Sequence, residues 1–434
     1  MNESLVIEER GRDIPYLDLS KQLAVPSFLA RVLATRGVTN KSEIDLSLNL
    51  LVGPDRLPGV DQGASRLVQA INDAERILIV GDFDADGATA SALVVSALTA
   101  MGVADVDYLV PNRFEFGYGL TPEIVAIAAK REPALIITVD NGVSSVEGVQ
   151  VAKKLGIEVV ITDHHLPPKE LPKAAAIVNP NLQGTTFESP FLAGVGVAYY
   201  LMAVVRAKLR AESYFVSKNL SEPNLADWLD LVALGTVADV VPLDRNNRIL
   251  VHQGLRRMRL GHLRPGMRAL IEIAARRLET LSSQDLAFAV GPRLNAAGRL
   301  DDIALGIQCL LAENLDSARS MAVALDGLNK ARRAIEDEMN VEAKVLISQK
   351  MDAEAPALCV YDASWHQGVV GIVAGRMREQ FHRPVIAFAD SGDISPGEIK
   401  GSARSIPGLH ILSLIHISEP TRRTPISYAV FCLK

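Results

Sequence analysis

Short apolar runs alternate with longer segments of helical character between residues 76 and about 180. The runs RILIVGD, VDYLVP, ALIITVD and EVVITD have the length and composition of buried strands. The segments ATASALVVSALTAM, TPEIVAIAAKR and SVEGVQVAKKLG lie between them and are predicted to be helices. Strands separated by helices indicate βαβ units, whose parallel sheets carry helices on both faces. This part of the chain is therefore predicted to be a parallel, doubly wound α/β domain.

The pattern changes after this domain. A further set of helices is predicted from about residue 190 to 260, as a helical part of the same domain. Residues 315–351 keep apolar positions at helical spacing and contain no proline, which predicts a long connecting helix. From about residue 355, the runs APALCVYDAS, VVGIVAGRMREQF and PVIAFAD predict a second β-α-β unit. We therefore expect a second, partial α/β domain beyond the long helix.

Composition narrows the class of protein. The 434 residues allow two or three domains, and 48% hydrophobic with 22% charged residues is typical of a globular chain. No apolar run reaches the roughly 20 residues of a membrane span, and the N-terminus does not resemble a secretory signal. Cys309, Cys359 and Cys432 are scattered without metal-ligand spacing. These features predict a cytoplasmic protein that does not bind membranes.

Charge is distributed unevenly along the chain. The net charge is −6, which by itself disfavours nucleic acid as a partner. Residues 245–299, however, contain eleven arginines, no lysine and three acids, a local net charge of +8. This region fits either a surface that binds phosphates or a set of amphipathic helices with solvated basic faces. The sequence leaves both interpretations open.

The segment VGDFDADGATASAL, residues 80–93, places three aspartates on alternate positions. Such crowded carboxylates repel one another, and a bound cation would offset the repulsion. An EF-hand is excluded, because Leu93 occupies the position of the required bidentate glutamate and a strand precedes the loop. A solvated acidic loop without a ligand remains the alternative at this point.

Further candidate ligands follow other predicted strands. In chain order, the polar residues at strand ends are Asp82, Asp84 and Asp86, then Asp140, then Asp163, His164 and His165. The carboxyl ends of parallel strands meet at one edge of a sheet, where ligands of open α/β sheets bind. Asp239 is isolated in the apolar run LGTVADVVPL and needs a partner if it is buried. Carboxylates with imidazole suit Mn²⁺, Mg²⁺ or Zn²⁺, and this many ligands suit two ions about 4 Å apart.

Four ordered motifs carry a family resemblance. DFDADG (82–87), TVDNG (138–142), TDHH (162–165) and GTVADVVPL (235–243) resemble the DHH phosphoesterase superfamily, and within it the bacterial exonucleases of single-stranded DNA. The runs PNRFEFGYGL, GPRLNAAGRL, SWHQGVVGIVAGR and GSARS extend the resemblance to about residue 410.

The resemblance implies a role for each matching residue. The implied metal ligands are Asp82, Asp84, Asp86, Asp140, His164 and Asp239, with Asp140 as the bridge. Asp82 stands where many family members have a histidine. His165 is expected to contact the scissile phosphate or to support the ligands, and Asp163 to orient the site. The implied catalytic set is Asp84, Asp86, Asp140, His164, His165 and Asp239.

Further matching residues are expected to bind nucleic acid or phosphate. Arg113 would face the nucleic-acid path, and Arg299 would lie near the entrance for the 5′ end. Ser402 and Arg404 would belong to a phosphate-binding loop of the second domain, because a guanidinium matches a phosphate well. The alternative for each arginine is an ordinary surface ion pair.

The function implied by the resemblance is a metal-dependent exonuclease of DNA repair and recombination. It would hydrolyse single-stranded DNA in the 5′→3′ direction to 5′-mononucleotides, with two Mn²⁺ or Mg²⁺ ions. A helicase and a single-strand-binding protein are possible partners, and a monomer is expected. The alternatives are a DHH-family oligoribonuclease or nucleoside-bisphosphate phosphatase, and a non-catalytic DNA-binding scaffold. The scaffold relatives have lost metal ligands, which this sequence retains.

The expected organisation has five parts. These are an N-terminal extension (1–60), a DHH catalytic domain with its helical part (61–275), connecting helices (276–351), a partial DHHA1-like domain (352–411) and a tail (412–434). The resemblance implies a GGH motif and an OB-like domain beyond the GSARS run, and the tail shows neither. We therefore expect the tail to be non-native, the chain to be truncated and the tail to pack poorly.

Overall fold

The computed structural model describes residues 14–111, 116–350, 355–392, 397–409 and 411. Its first sheet has five parallel strands in the order β2-β1-β3-β4-β5. The strands are β1 (Ile77–Gly81), β2 (Val106–Leu109), β3 (Leu135–Val139), β4 (Glu158–Thr162) and β5 (Ala176–Val178). The first four match the predicted apolar runs, whereas β5, which has only three residues, was not predicted. The predicted doubly wound sheet is confirmed.

The strand order places a crevice at the carboxyl ends of β1 and β3. The connections run in opposite directions on either side of these two strands, so the loops that follow them diverge and leave a binding site. Asp82, Asp84 and Asp86 follow β1, and Asp140 follows β3. The topology therefore brings the acids of two separate motifs to the two sides of one crevice.

Helices cover both faces of this sheet. Ile77 and Ile79 of β1 face one core, and Leu78 and Val80 face the other, as the alternation of side chains along a strand requires. The helices of this domain are Val60–Asn72, Ala85–Ala100, Pro122–Ala129, Val146–Lys154 and Gly194–Ala211. All five residues of β1 are buried. The apolar runs seen in the sequence follow from this burial on both sides.

Further helices surround the domain. Two precede it, Leu17–Leu23 and Ser27–Ala34; those after it are Tyr214–Ser217, Leu229–Ala238, Arg245–Arg259, Pro265–Ile273, Ser283–Asp285, Gly291–Leu300 and Ala304–Leu311. A π-helical segment covers Leu286–Val290. Short 3₁₀ turns cover Lys41–Ile44, Leu48–Leu50, Pro54–Arg56, Leu225–Trp228 and Leu278–Thr280. The predicted long connecting helix is present as Leu315–Lys350.

The second sheet is smaller. Strand β6 (Leu358–Tyr361) pairs in parallel with β7 (Val385–Asp390), which pairs antiparallel with β8 (Ile399–Arg404). Helix Val370–Phe381 connects β6 to β7, so the predicted second β-α-β unit is confirmed. Its core includes Met339, Ala343 and Ile347 of the long helix. The long helix therefore contributes to both domains' packing.

Charge pairing accounts for part of the basic region. Five of its arginines form ion pairs, namely Arg257 with Asp227, Arg264 with Asp230, Arg276 with Asp285, Arg277 with Glu279, and Arg293 with Asp326. Arg264 and Arg293 lie half-buried against buried acids, so for these two the structure favours a structural role. The tail 412–434 and Arg113 lie outside the described residues, so the predictions made for them stay predictions. Within the described part of the chain, no helix combines the length and apolar character needed to cross a membrane.

Candidate metal centre

The loop after β1 is built around Asp84. This residue caps helix Ala85–Ala100, and its Oδ1 accepts hydrogen bonds from the backbone N–H groups of Asp86 (2.9 Å) and Gly87 (3.1 Å). A Cβ atom at Gly87 would lie 2.5 Å from the carbonyl oxygen of Asp82, so a side chain would disrupt the turn. The DxDG spacing thus forms a strand-to-helix turn that keeps three carboxylates at one end of the sheet.

Asp86 is buried against the start of another helix. Its Oδ2 and Oδ1 accept hydrogen bonds from the N–H groups of Gly194 (2.6 Å) and Val195 (2.9 Å), at the first turn of helix Gly194–Ala211. The positive end of a helix stabilises a carboxylate there. Burial nevertheless raises the pKa of Asp86 well above its ordinary value, and the charges of Asp239 and Asp84 raise it further. The site therefore strongly favours a compensating positive charge.

Asp140 holds an unusual backbone conformation just beyond β3. Its φ is +62°, in the left-handed region, which aspartate and asparagine tolerate better than most residues. Asn141 fixes the turn, because its Nδ2 donates to the carbonyl oxygens of Val80 (3.1 Å) and Val139 (2.9 Å). Burial raises the pKa of Asp140 well above its ordinary value, and the neighbouring Asp86 and Asp84 raise it further. Asp140 thus combines a left-handed backbone conformation with repulsion from the neighbouring carboxylates.

His164 stands between two of the acids. Its Nε2 lies 3.1 Å from Oδ1 of Asp140 and 3.5 Å from Oδ2 of Asp239. Burial lowers the pKa of His164, which favours the neutral imidazole with a free lone pair. A neutral imidazole is the form that binds a metal ion. The lowered pKa and the position of His164 between two carboxylates both suit a metal ligand.

His165 is oriented by Asp163. Its Nδ1 lies 2.7 Å from Oδ1 of Asp163, and that carboxylate also accepts the N–H groups of Val143, His164 and His165. Burial opposes charge on both residues, but this hydrogen bond and ion pair prevail. They raise the pKa of His165 to about 9 and lower that of Asp163. Asp163 thus orients the His165 ring through its Nδ1.

Asp239 follows helix Leu229–Ala238, at the helix end nearest the crevice. The next residue, Val240, has a φ of +63° and is 75% exposed. A β-branched residue rarely adopts this conformation, and such outliers occur preferentially at functional sites. The strained turn ends the helix abruptly and leaves the Asp239 carboxylate beside His164.

The structure brings seven of the predicted residues together. Their ligand atoms form three overlapping groups, each within 4.8 Å: Asp82, Asp84 and Asp140; Asp86, His164 and Asp239; and Asp140, His164 and His165. Oδ1 of Asp140 is buried and makes no hydrogen bond within the described residues, despite the nearby imidazole. An orphaned carboxylate oxygen among oxygen and imidazole donors fits Mn²⁺ or Mg²⁺. The donor set is large enough for two ions that share Asp140.

Tyr118 is a site residue that was not predicted from the sequence. Its hydroxyl donates to the carbonyl oxygen of Asp140 (3.2 Å) and lies 3.3 Å from ring nitrogens of His165. Its ring meets Phe83 and His165 edge to face, at centroid distances of 5.9 and 5.8 Å. The PNRFEFGYGL run contained the signal, a tyrosine between two glycines, but Arg113 was the residue predicted from it.

Ser402 and Arg404 lie on strand β8, so the predicted phosphate-binding loop is wrong in its local structure. Residues 399–404 pair antiparallel with β7 and form the third strand of the small sheet. Nη1 of Arg404 donates to Oγ of Ser402 at 3.0 Å. A Cβ atom at Gly371 would lie 3.0 Å from both side chains, which places them beside the first turn of helix Val370–Phe381. The two residues therefore share one face at a helix N-terminus.

Arg299 joins the two domains. Its Nη1 donates to the carbonyl oxygen of Gly368 at 3.2 Å, in the loop that precedes helix Val370–Phe381. A Cβ atom at Gly368 would lie 2.2 Å from the carbonyl oxygen of Arg299, so the two backbones are in close contact. The predicted entrance residue thus lies at the boundary between the acid-bearing domain and the second domain.

Comparison with known proteins identifies the family. The DHH family, N-terminal domain, matches residues 76–236, and the DHHA1 domain matches residues 354–420. The chain is 56% identical over 411 residues to the single-stranded-DNA-specific exonuclease RecJ of Dickeya dadantii, covering 94% of this chain and 70% of that protein. This chain belongs to the RecJ family. RecJ of Escherichia coli is 52% identical over 409 residues, which cover 93% of this chain and 70% of that protein.

Solved RecJ structures share the architecture. A structure described as exonuclease RecJ bound to manganese superposes with a TM-score of 0.71 at 33% identity, covering 84% of this chain and 86% of that chain. RecJ from Thermus thermophilus in complex with Mn²⁺ gives a TM-score of 0.78 at 31% identity, over 93% of this chain and 55% of that chain. The RecJ fold therefore extends over both described sheets.

Proposed function

We propose that this chain is an exonuclease that hydrolyses phosphodiester bonds of single-stranded DNA with two divalent ions. One observation carries the proposal: in a chain of the RecJ family, the acids and imidazoles of four separate motifs meet in one crevice. The relatives are named for this activity, and the crevice has the donors that such a hydrolysis requires.

We assign two Mn²⁺ or Mg²⁺ ions to this centre. Asp82, Asp84 and Asp140 form one group of donors, and Asp86, His164 and Asp239 form the other. Asp140 lies between the groups and is our choice for the shared ligand. When bound, such ions lower the pKa of a water molecule and neutralise negative charge on the phosphoryl group in the transition state.

The remaining side chains of the site orient the substrate. Asp163 fixes the ring of His165 through Nδ1, and Tyr118 contacts the same ring. We assign His165 to the scissile phosphate, since the hydrogen bond to Asp163 fixes its ring and raises its pKa, and a protonated imidazole attracts a phosphate. No side chain of this site needs to act as a covalent nucleophile, because water can attack in line.

We propose that the second domain binds a phosphate of the DNA strand and so sets the 5′→3′ direction and the 5′-mononucleotide product. Ser402 and Arg404 offer a hydroxyl and a guanidinium beside the first turn of helix Val370–Phe381. Helix N-termini and guanidinium groups both favour phosphate. Arg299 and Arg113 are assigned to the path between the domains. In this scheme residues 61–275 carry the chemistry and residues 352–411 hold the strand.

We infer that the chain works as a monomer in the bacterial cytoplasm. All the donors of the proposed centre come from one chain, so no second copy is needed to complete it. An enzyme restricted to single strands depends on other proteins to expose its substrate, and a helicase and a single-strand-binding protein are the partners we propose. Roles in DNA repair and recombination follow from that dependence.

The proposal is tested with 5′-labelled and 3′-labelled single-stranded oligonucleotides and a matching duplex, in Mn²⁺ or Mg²⁺. We compare the unmodified chain with D140N, because asparagine tolerates the positive φ of Asp140. Asp316→Asn, at an exposed aspartate of the long helix, is the matched control. We expect the 5′ label to appear first as a mononucleotide, and the rate to fall on the order of 1000-fold in D140N alone. Equal rates in D140N and the unmodified chain would refute the metal mechanism.

A further inference from the structure

Helix Gly291–Leu300 contacts the acid loop although the two are far apart in sequence. Oδ1 of Asn295 accepts a hydrogen bond from the backbone N–H of Ala85 at 2.8 Å. Ala85 stands between Asp84 and Asp86 and is only 1% exposed. Asn295 therefore contacts the backbone between two acids of the candidate centre, without belonging to the donor set itself.

This hydrogen bond completes the start of helix Ala85–Ala100. The first N–H groups of a helix have no acceptor within it. Oδ1 of Asp84 takes those of Asp86 and Gly87, and Asn295 takes that of Ala85. Side-chain oxygens thus hold three consecutive N–H groups of the loop. Losing the Asn295 oxygen would leave a buried N–H group without its acceptor and release the turn that aims both carboxylates.

The helix that carries Asn295 packs against the loop after β1 and against the end of helix Leu229–Ala238. A Cβ atom at Gly298 would lie 1.8 Å from the carbonyl oxygen of Phe83, and one at Gly291 would lie 3.1 Å from Cβ of Ala238, the residue before Asp239. The helix is preceded by the π-helical segment Leu286–Val290, an irregularity common near functional sites. The position of Asn295 over Ala85 is therefore set by close packing at both ends of the helix, against the backbone of Phe83 and the side chain of Ala238.

We propose that Asn295 is a positioning residue for the metal centre, acting through the N–H of Ala85 on the directions of the Asp84 and Asp86 carboxylates. The inference rests on the proposed function, since it assumes that these carboxylates hold ions. Groups that orient metal ligands typically contribute 10–100-fold to metal affinity. Asn295 is expected to act on ion binding first and on turnover only through it.

The test is Mn²⁺ binding to the full chain, measured by electron paramagnetic resonance of the free ion, together with thermal unfolding. We expect Asn295→Ala to weaken Mn²⁺ binding on the order of 10-fold. Asn295→Asp keeps an oxygen for the N–H of Ala85, so we expect it to recover most of the affinity. Raising the Mn²⁺ concentration should restore exonuclease turnover in Asn295→Ala.

Asn246→Ala is the matched control. Oδ1 of Asn246 also accepts a backbone N–H from a distant segment, that of Val52 at 3.0 Å. Asn246 is buried, whereas Asn295 is half-buried. We expect this variant to lower the unfolding temperature and to leave Mn²⁺ affinity unchanged. The proposal is overturned if Asn295→Ala binds Mn²⁺ normally, if Asn246→Ala loses affinity by the same factor, or if Asn295→Asp is no better than Asn295→Ala. Absence of Mn²⁺ binding in the unmodified chain would instead refute the proposed function.

Discussion

Nε2 of His164 lies 3.1 Å from Oδ1 of Asp140, across the ends of two neighbouring strands. The carboxylate oxygen is buried and makes no hydrogen bond within the described residues, so the two atoms lie close together without a hydrogen bond between them. Burial disfavours the charged form of each group, lowering the pKa of His164 and raising that of Asp140. The imidazole nitrogen and the carboxylate oxygen can each donate an electron pair, so their closeness favours a metal cation bound by both.

Charge repulsion at the centre should make the metal-free protein lose stability as pH rises. The pKa values of Asp86 and Asp140 are raised on folding, so the folded state binds more protons than the unfolded state above the ordinary value of 3.8. The free energy of unfolding therefore falls with rising pH until the raised pKa values are passed. A tenfold change in a group's acidity between the two states corresponds to about 1.4 kcal/mol. The unfolding temperature measured in EDTA should fall less steeply from pH 5 to pH 9 in D140N than in the unmodified chain.

Mn²⁺ serves as the internal control for that experiment. Added in excess, it should raise the unfolding temperature of the unmodified chain most at high pH, where the carboxylates are ionised. A pH dependence that is identical in D140N and the unmodified chain would contradict the assignment of the repulsion to Asp140.

Gly194→Ala should damage the centre without removing a metal ligand. A Cβ atom there would lie 2.6 Å from both Cβ and Oδ1 of Asp140, so the helix start or the carboxylate must move. We expect weaker Mn²⁺ binding and a rate lower by roughly 10-fold or more. Gly327→Ala is the control, because nothing lies within 4 Å of the added atom and alanine favours the long helix by about 1 kcal/mol. Equal Mn²⁺ affinity in the two variants would show that the space beside Asp140 is not limiting.

Arg404→Ala should remove recognition of a 5′-phosphate. A charged hydrogen bond contributes about 1.5–3 kcal/mol, which corresponds to roughly 10–100-fold in affinity. We expect KM for 5′-phosphorylated single strands to rise while kcat changes little, and KM for 5′-hydroxyl strands to stay the same. Arg378→Ala is the control, since that side chain donates to the carbonyl oxygen of Ser405 on the same small domain. A rise in KM of the same size for both 5′ ends would instead indicate general loss of DNA binding.

Asp163→Asn should lower the pKa of His165 from about 9, because the ring loses its charged partner while it stays buried. Nuclear magnetic resonance titration of the metal-free protein follows this pKa directly. We expect exonuclease turnover to fall by roughly 10-fold as the ring loses its orientation. His252, whose pKa is lowered by burial and by the charges of Arg259 and Arg256, is an internal reference that should not move. An unchanged His165 pKa would show that Asp163 does not control the ring.

The local sequence pattern was sufficient to predict the first four strands but not the short strands β5 and β8 at the edges of the two sheets. Strands β1, β3 and β4 were predictable because they are buried on both sides and read as nearly continuous apolar runs, and the edge strand β2 lies in the short run VDYLVP. β5 was missed since three residues carry too little periodicity. β8 was missed because the family resemblance implied a loop at GSARS. Both strands exist through pairing with β4 and β7, partners that local sequence does not specify.

The amino-acid sequence alone specified which residue types could form the centre and after which strands most of them come. Short-range physics is enough for that, since apolar runs define strands and a parallel sheet gathers their carboxyl ends at one edge. Which atoms come into contact depends on the tertiary structure: the left-handed turn at Asp140, the approach of Asp239 to His164, and the contacts of Tyr118 and Asn295. These contacts join segments far apart in the chain, and their geometry depends on how helices pack against the sheet rather than on any local pattern.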